Sequence, residues 1–167
     1  MQKKKLLFIV NTDWFFISHR LPIAIEAMKN GFEVHFATGE FTNKHSLINK
    51  KINTHLINLE RKAINPISNL KTIFDIFILI RKIKPDIIHL ITPKPVLLGN
   101  ISCLLARSKV VIFSITGLGY LFTKFDFLSK IKQRFLLSLY RLTRLNKKYY
   151  LIFQNKFDKN IILQKHS

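Results

Sequence analysis

The sequence predicts an α/β fold, a doubly wound parallel sheet, and three observations carry the prediction. Short apolar runs alternate with longer helical patterns along nearly the whole chain. The run Ile87-Ile88-His89-Leu90-Ile91 is apolar on both faces, as a central parallel strand requires. Five of the six predicted strands are followed by a short polar segment, where a parallel sheet presents its carboxyl edge to ligands.

The elements follow in order. Residues 5–10 read as strand one. The apolar run behind Lys3-Lys4-Lys5 is too short for a signal peptide, is interrupted by Asn11-Thr12-Asp13, and precedes no small-residue cleavage site. Residues 11–18 read as a loop, with Ser18 capping a helix through His19-Arg20-Leu21-Pro22 to Asn30, where Gly31 supplies a left-handed stop. Residues 32–37 alternate as strand two. Residues 38–53 are a polar connection with one short helix, and 54–57 a short strand three. Asn65-Pro66 opens a helix to about Lys82. Pro85 biases Lys84 toward extended geometry and closes that helix.

Strand four covers 87–91, and Thr92-Pro93-Lys94-Pro95 turns into a helix from Pro95 to about Arg107. On a parallel sheet, His89, Thr92 and Lys94 then fall at the carboxyl edge. Residues 109–114 form strand five, before the glycine-bearing loop Thr116-Gly117-Leu118-Gly119-Tyr120. A basic amphipathic helix is expected over 128–146, a last strand over 149–153, and a final helix from Gln154-Asn155.

With 167 residues, 48% of them hydrophobic, the chain suits one domain with a substantial core. The single Cys103 excludes an internal disulfide framework and fits a reducing compartment. The 28 Lys and Arg against 9 Asp and Glu give a formal charge of +19. Lys greatly outnumbers Arg, whereas recognition of phosphates and bases favours Arg. Biased composition with attraction to anionic lipid therefore ranks above nucleic-acid binding. No run reaches the roughly 20 apolar residues of a membrane span, so a cytosolic protein or one bound to the inner face of a membrane is expected.

The chemistry should gather where strands end: Asn11-Thr12-Asp13, Thr38-Gly39-Glu40, Thr92-Pro93-Lys94, Thr116-Gly117-Leu118-Gly119 and Gln154-Asn155. The loop after strand one carries neither dinucleotide nor P-loop glycines. Trp14-Phe15-Phe16 either packs beneath neighbouring loops or meets an apolar or lipid-linked ligand. His19 offers a general base or a hydrogen-bond donor, and His89 reads as a satisfied core histidine. His35, His45, His55 and His166 lack metal-ligand spacing, and no metal is expected.

Five segments in register resemble the amino-terminal half of family 4 glycosyltransferases of bacterial capsule, O-antigen and surface-polysaccharide assembly. They are Asn11 to Pro22, Pro85 to His89, Thr92 to Pro95, Gly117 to Phe122, and Ile152 to Asn155. The resemblance implies a Rossmann-like lobe of the GT-B fold, acceptor-binding, with the carboxyl-terminal donor lobe lying outside this chain.

By that likeness Asn11, Asp13, Trp14, His19, Arg20, Thr92 and Lys94 line the acceptor side. Thr116, Gly117, Leu118, Gly119, Tyr120, Gln154 and Asn155 face the cleft. Two departures stand out: Thr116 occupies the place of a frequent His, and Ile91 that of the second His in V-H-x-H. The implied partners are a lipid-linked saccharide acceptor, an anionic membrane surface and a separate donor-domain chain. No cofactor is expected on this domain, and a nucleotide-sugar donor is implied for the complete enzyme. The alternatives are a membrane-anchoring subunit of a two-chain transferase and a basic nucleic-acid-binding module.

Overall fold

The computed structural model describes residues 3–60, 65–115, 145, 148–156 and 159–160. Among them six strands form one sheet: β1 (Lys5–Ile9), β2 (Glu33–Thr38), β3 (Asn53–Leu56), β4 (Ile87–Ile91), β5 (Val110–Ile115) and β6 (Tyr149–Phe153). Their order is β3-β2-β1-β4-β5-β6, and every neighbouring pair is parallel. The chain thus winds outward in both directions from β1 and β4, the topology that opens a crevice where the winding reverses.

Strand side chains alternate between two cores. Leu7, Ile9, Ile88 and Leu90 join Ile76, Leu79, Ile80 and Ile83 of α4 (Pro66–Ile83) and Cys103 of α5 (Asn100–Leu105). Leu6, Phe8, Val34 and Phe36 instead pack on Phe16 of α1 (Asp13–His19), Ala24 of α2 (Leu21–Lys29) and Leu47 of α3 (Lys44–Ile48). Helices therefore cover both faces, and the fold is the expected Rossmann-like doubly wound sheet.

Four local expectations are corrected. Residues 13–19 are helix rather than loop, so His19 ends α1 instead of opening a helix. Ser18 caps nothing: its hydroxyl donates back to the Trp14 carbonyl at 2.8 Å. Lys84 is left-handed (φ 53°), not extended, because its N–H closes α4 onto the Ile80 carbonyl while the chain reverses into β4. The segment expected as one helix from Pro95 begins as a π-helical turn (Pro95–Gly99) and ends at Leu105. The loop Thr116 to Tyr120 and, apart from Leu145, the helix over 128–146 lie outside the described residues.

Helix ends follow simple chemistry elsewhere. The Asn65 side chain accepts from Ile67 N at 2.9 Å, ahead of Pro66 in the first turn of α4. Gly31 (φ 84°) ends α2, its N–H bonding Met28 O while Phe32 N reaches Ala27 O. Lys51 and Arg107 hold the same left-handed place after α3 and α5.

Candidate functional site

All six strands run the same way, so the segments following β1, β2, β4 and β6 leave the sheet at one edge. Asn11, Asp13, Thr92, Lys94, Gln154 and Asn155 are thereby carried to a common side. Gly39 sits there for a steric reason: a Cβ at this position would stand 2.0 Å from the Leu59 carbonyl oxygen.

Asp13 is wholly buried. Its carboxylate accepts from Thr42 N at 2.6 Å, Asn43 N at 2.7 Å and the Thr42 hydroxyl at 2.8 Å. Burial opposes its charge, yet the donors from Asn43 and Thr42 outweigh burial and hold the carboxyl below its usual range. Asp13 therefore ties the start of α1 to the loop after β2, with its oxygens taken up by the fold. Lys94 likewise donates to the Glu60 carbonyl at 2.6 Å.

Trp14 and His19 differ in kind. Helical spacing turns Trp14, Phe15 and His19 toward one another, and Trp14 remains 65% exposed. The His19 ring stacks on Phe15 with centroids 4.5 Å apart and planes 9° apart, and its Nδ1 stands 2.6 Å from the Ser18 hydroxyl. Phe16, by contrast, faces inward against Phe8 and Phe36, which divides the predicted aromatic cluster into a core member and an outward platform. An exposed aromatic surface beside an oriented imidazole suits a sugar ring or an apolar chain and can hold a hydroxyl.

Arg20 lies at the break between α1 and α2, half-buried. Its Nη1 donates to the His19 carbonyl at 3.4 Å, while Nε and Nη2 are enclosed with no hydrogen-bond partner. Burial lowers its pKa. His89 is the third residue of β4, inside the sheet and not at its edge. Its Nε2 pairs with the Ser114 hydroxyl at 2.7 Å, the satisfied core histidine expected. Burial first, and Arg20 second, push its pKa down to about 3, so the imidazole is neutral.

Thr92 closes β4 in the left-handed region (φ 72°), its hydroxyl donating to the Ile91 carbonyl. For a β-branched residue that conformation costs on the order of 1–3 kcal/mol and is characteristic of functional sites. Gln154 and Asn155 are exposed just beyond β6.

Comparison with known proteins accords with this geometry. The family model for glycosyl transferase 4-like proteins matches residues 5–155. The chain belongs to the glycosyl transferase 4-like family. No curated protein matches the sequence. Among solved structures, MurG of Acinetobacter baumannii superposes with a TM-score of 0.58 at 14% identity, over 93% of this chain and 43% of that one. A glycosyltransferase from Rickettsia africae gives 0.58 at 15%, over 93% and 44%. A protein described as a putative UDP-N-acetylglucosamine 2-epimerase, from Listeria monocytogenes, gives 0.67 at 14%, over 100% and 43%. The chain thus spans less than half the length of these structures.

One cluster in this glycosyl transferase 4-like chain was invisible in sequence. His35 Nδ1 lies 3.0 Å from His55 Nε2 across β2 and β3, and His35 Nε2 lies 2.9 Å from Glu33. When His35 donates to Glu33 through Nε2, its Nδ1 accepts a hydrogen bond from His55 Nε2–H, an arrangement that both rings make in the neutral form. The strand register could have paired them; the spacing of histidines along the chain could not. Two surface depressions, lined by Lys84, Arg107 and Lys109 and by Lys3, Lys5 and Asp86, lie at the opposite, amino edge of the sheet. Parallel sheets of this kind bind ligands at the carboxyl edge, so neither is taken as the site.

Proposed function

We propose that this chain is the acceptor-side lobe of a glycosyltransferase. It moves a sugar from a nucleotide-sugar to a polyprenyl-linked saccharide in surface-polysaccharide assembly, at the inner face of the cytoplasmic membrane. The observation that carries the proposal is the outward platform of Trp14, Phe15 and His19, on the same sheet edge as the strained Thr92, in a chain of this family. Trp14, beside the Phe15–His19 stack, offers a face to a sugar ring or to the first isoprene units. His19 and Arg20 supply donors for hydroxyl or phosphate oxygens.

In this reading the nucleotide-sugar is held mainly by a second lobe. The loop after β1, Asn11-Thr12-Asp13, has no glycine run to cradle a diphosphate. Sugar transfer would be measured from a panel of nucleotide-sugars to a polyprenyl-diphosphate-linked saccharide, with this chain alone and with a donor-binding lobe added. Turnover that requires both is the expected result. Turnover by this chain alone would refute the division of labour.

A further inference from the structure

We infer that the amino edge of the sheet carries a second ligand site, a cationic basin that takes a short inorganic polyphosphate chain. The basin lies at the opposite end of the strands from the acceptor platform, so it stands or falls apart from the proposed function.

Two depressions of about 390 and 430 Å³ adjoin one another there. Arg81, Lys84, Arg107 and Lys109 line the first. Lys84 and Lys109 also line the second, with Lys3, Lys4, Lys5 and Lys82. Eight cationic residues thus surround one carboxylate, Asp86. That carboxylate is already engaged, accepting from Lys5 N and from Lys109 Nζ at 2.9 Å each. Among the described residues Lys109 is the only one of the eight in a salt bridge.

Local structure explains part of this gathering. The carboxyl-terminal dipole of α4 favours Arg81 and Lys82 in its last turn. It does not call for Lys3, Lys4 and Lys5 at the start of β1, or for Lys109 just ahead of β5. Parallel strands all begin at this edge, and that brings these lysines together. Lys84 and Arg107 fill left-handed turns at φ 53° and 52°, places where glycine costs least. Ser108 lines the first depression too, nine-tenths buried, with a hydroxyl that finds no hydrogen-bond partner. An unsatisfied donor among unpaired cations calls for an anionic acceptor.

The lining sets the chemistry of that acceptor. Among the described residues it holds no aromatic side chain, so nothing there stacks a nucleobase. Ile80, Ile83 and Pro85 are buried, so no apolar surface there receives an acyl chain. Six of the eight cations are Lys, compact charges on flexible stems that follow a line of charge rather than a planar group. An extended acidic peptide turns alternate side chains away and presents about one charge per 7 Å, too sparse for this basin. A linear polyphosphate carries charge on every unit and nothing else.

The test is isothermal titration of the chain with tripolyphosphate and with orthophosphate. Tripolyphosphate should bind at least about tenfold more tightly, raise the melting temperature and weaken as salt is added. Lys84→Asn with Arg107→Gly should lower its affinity about tenfold or more. Both replacements suit left-handed backbone, so this variant should melt no lower than the wild type. Lys82→Gln with Lys109→Gln, at two exposed positions, should give a similar loss through the second depression. Lys44→Gln with Lys71→Gln removes the same charge from exposed positions nearer the carboxyl edge and should leave the affinity within about twofold.

An equal loss in the Lys44, Lys71 control overturns the site and leaves only the net charge of +19. So does orthophosphate binding as tightly as tripolyphosphate, or a wild type that binds neither. Single-stranded nucleic acid, or phosphatidylglycerol vesicles, displacing tripolyphosphate at a lower phosphate concentration would make one of those the occupant and overturn the assignment to free polyphosphate.

Discussion

The Asp13 carboxylate accepts both the backbone N–H and the hydroxyl of Thr42, at 2.6 and 2.8 Å, and so clamps the first turn of α1 to the loop after β2. Removing it takes from the N–H groups of Thr42 and Asn43 the acceptor that Asp13 provides. Asp13→Ala should cost about 3 kcal/mol and lower the melting temperature by roughly 6–12 °C. Asp13→Asn should cost less, because its Oδ1 can accept from both backbone N–H groups while its amide nitrogen donates to the Thr42 hydroxyl oxygen. Calorimetry of both variants checks this; a melting temperature within a degree of wild type would show that the clamp is dispensable.

Acidification should destabilise the fold from about pH 6.5 downward. His35, His55 and His89 all have pKa values lowered by burial, so the unfolded chain binds their protons first as pH falls. Their contribution is complete above the unfolded value of 6.5 and is lost progressively below it. For His89, displaced to about 3, the loss reaches about 5 kcal/mol at most between those limits. Asp13, with a lowered carboxyl pKa, adds a second fall as pH drops below 3.8. Denaturant midpoints measured from pH 8 to pH 4 should therefore decline, and His89→Gln should flatten the decline more than substitution of exposed His45.

Lys51 and Arg107 hold left-handed helix ends at φ 60° and 52°, where their β-carbons are strained. Lys51→Gly and Arg107→Gly should each stabilise the fold by about 0.5–1 kcal/mol, additively because the sites are far apart in the fold. Urea denaturation provides the measurement. A loss of stability in either variant would show that the side chain contributes more than the strain removes.

Thr92→Gly should likewise relieve the strain of φ 72° and stabilise the fold by about 1 kcal/mol. If that strain serves acceptor binding, the same variant should bind a polyprenyl-linked saccharide several-fold more weakly. Chemical denaturation beside equilibrium binding separates the two effects. A less stable variant with intact binding would assign Thr92 a purely structural role.

The sheet was legible because parallel strands are buried on both faces: Leu6 to Val10 and Ile87 to Ile91 are near-continuous apolar runs, and burial follows the run. Strand β6 and the Gly31 stop were visible for equally local reasons. What escaped was settled by distant partners. Asn11-Thr12-Asp13 has the composition of a loop, and only Thr42 and Asn43 show why Asp13 starts a helix. The pre-proline rule favoured extended Lys84, and the need to end α4 and enter β4 overrode it. His35 and His55 meet through strand register, twenty residues apart in sequence. Within Trp14-Phe15-Phe16 the chain offered three aromatics; which one faces inward depended on the position of Phe8 and Phe36.

The central claim is that the platform of Trp14 and His19 receives the acceptor. Equilibrium binding of a short-chain polyprenyl-diphosphate saccharide to the wild type and to the Trp14→Ala, His19→Ala double variant tests it most directly. The account predicts binding by the wild type, weakened about tenfold or more in the variant, with both melting at the same temperature because these side chains lie on the surface. Equal binding by the two proteins, or a nucleotide-sugar that occupies this platform in place of the acceptor, would contradict it.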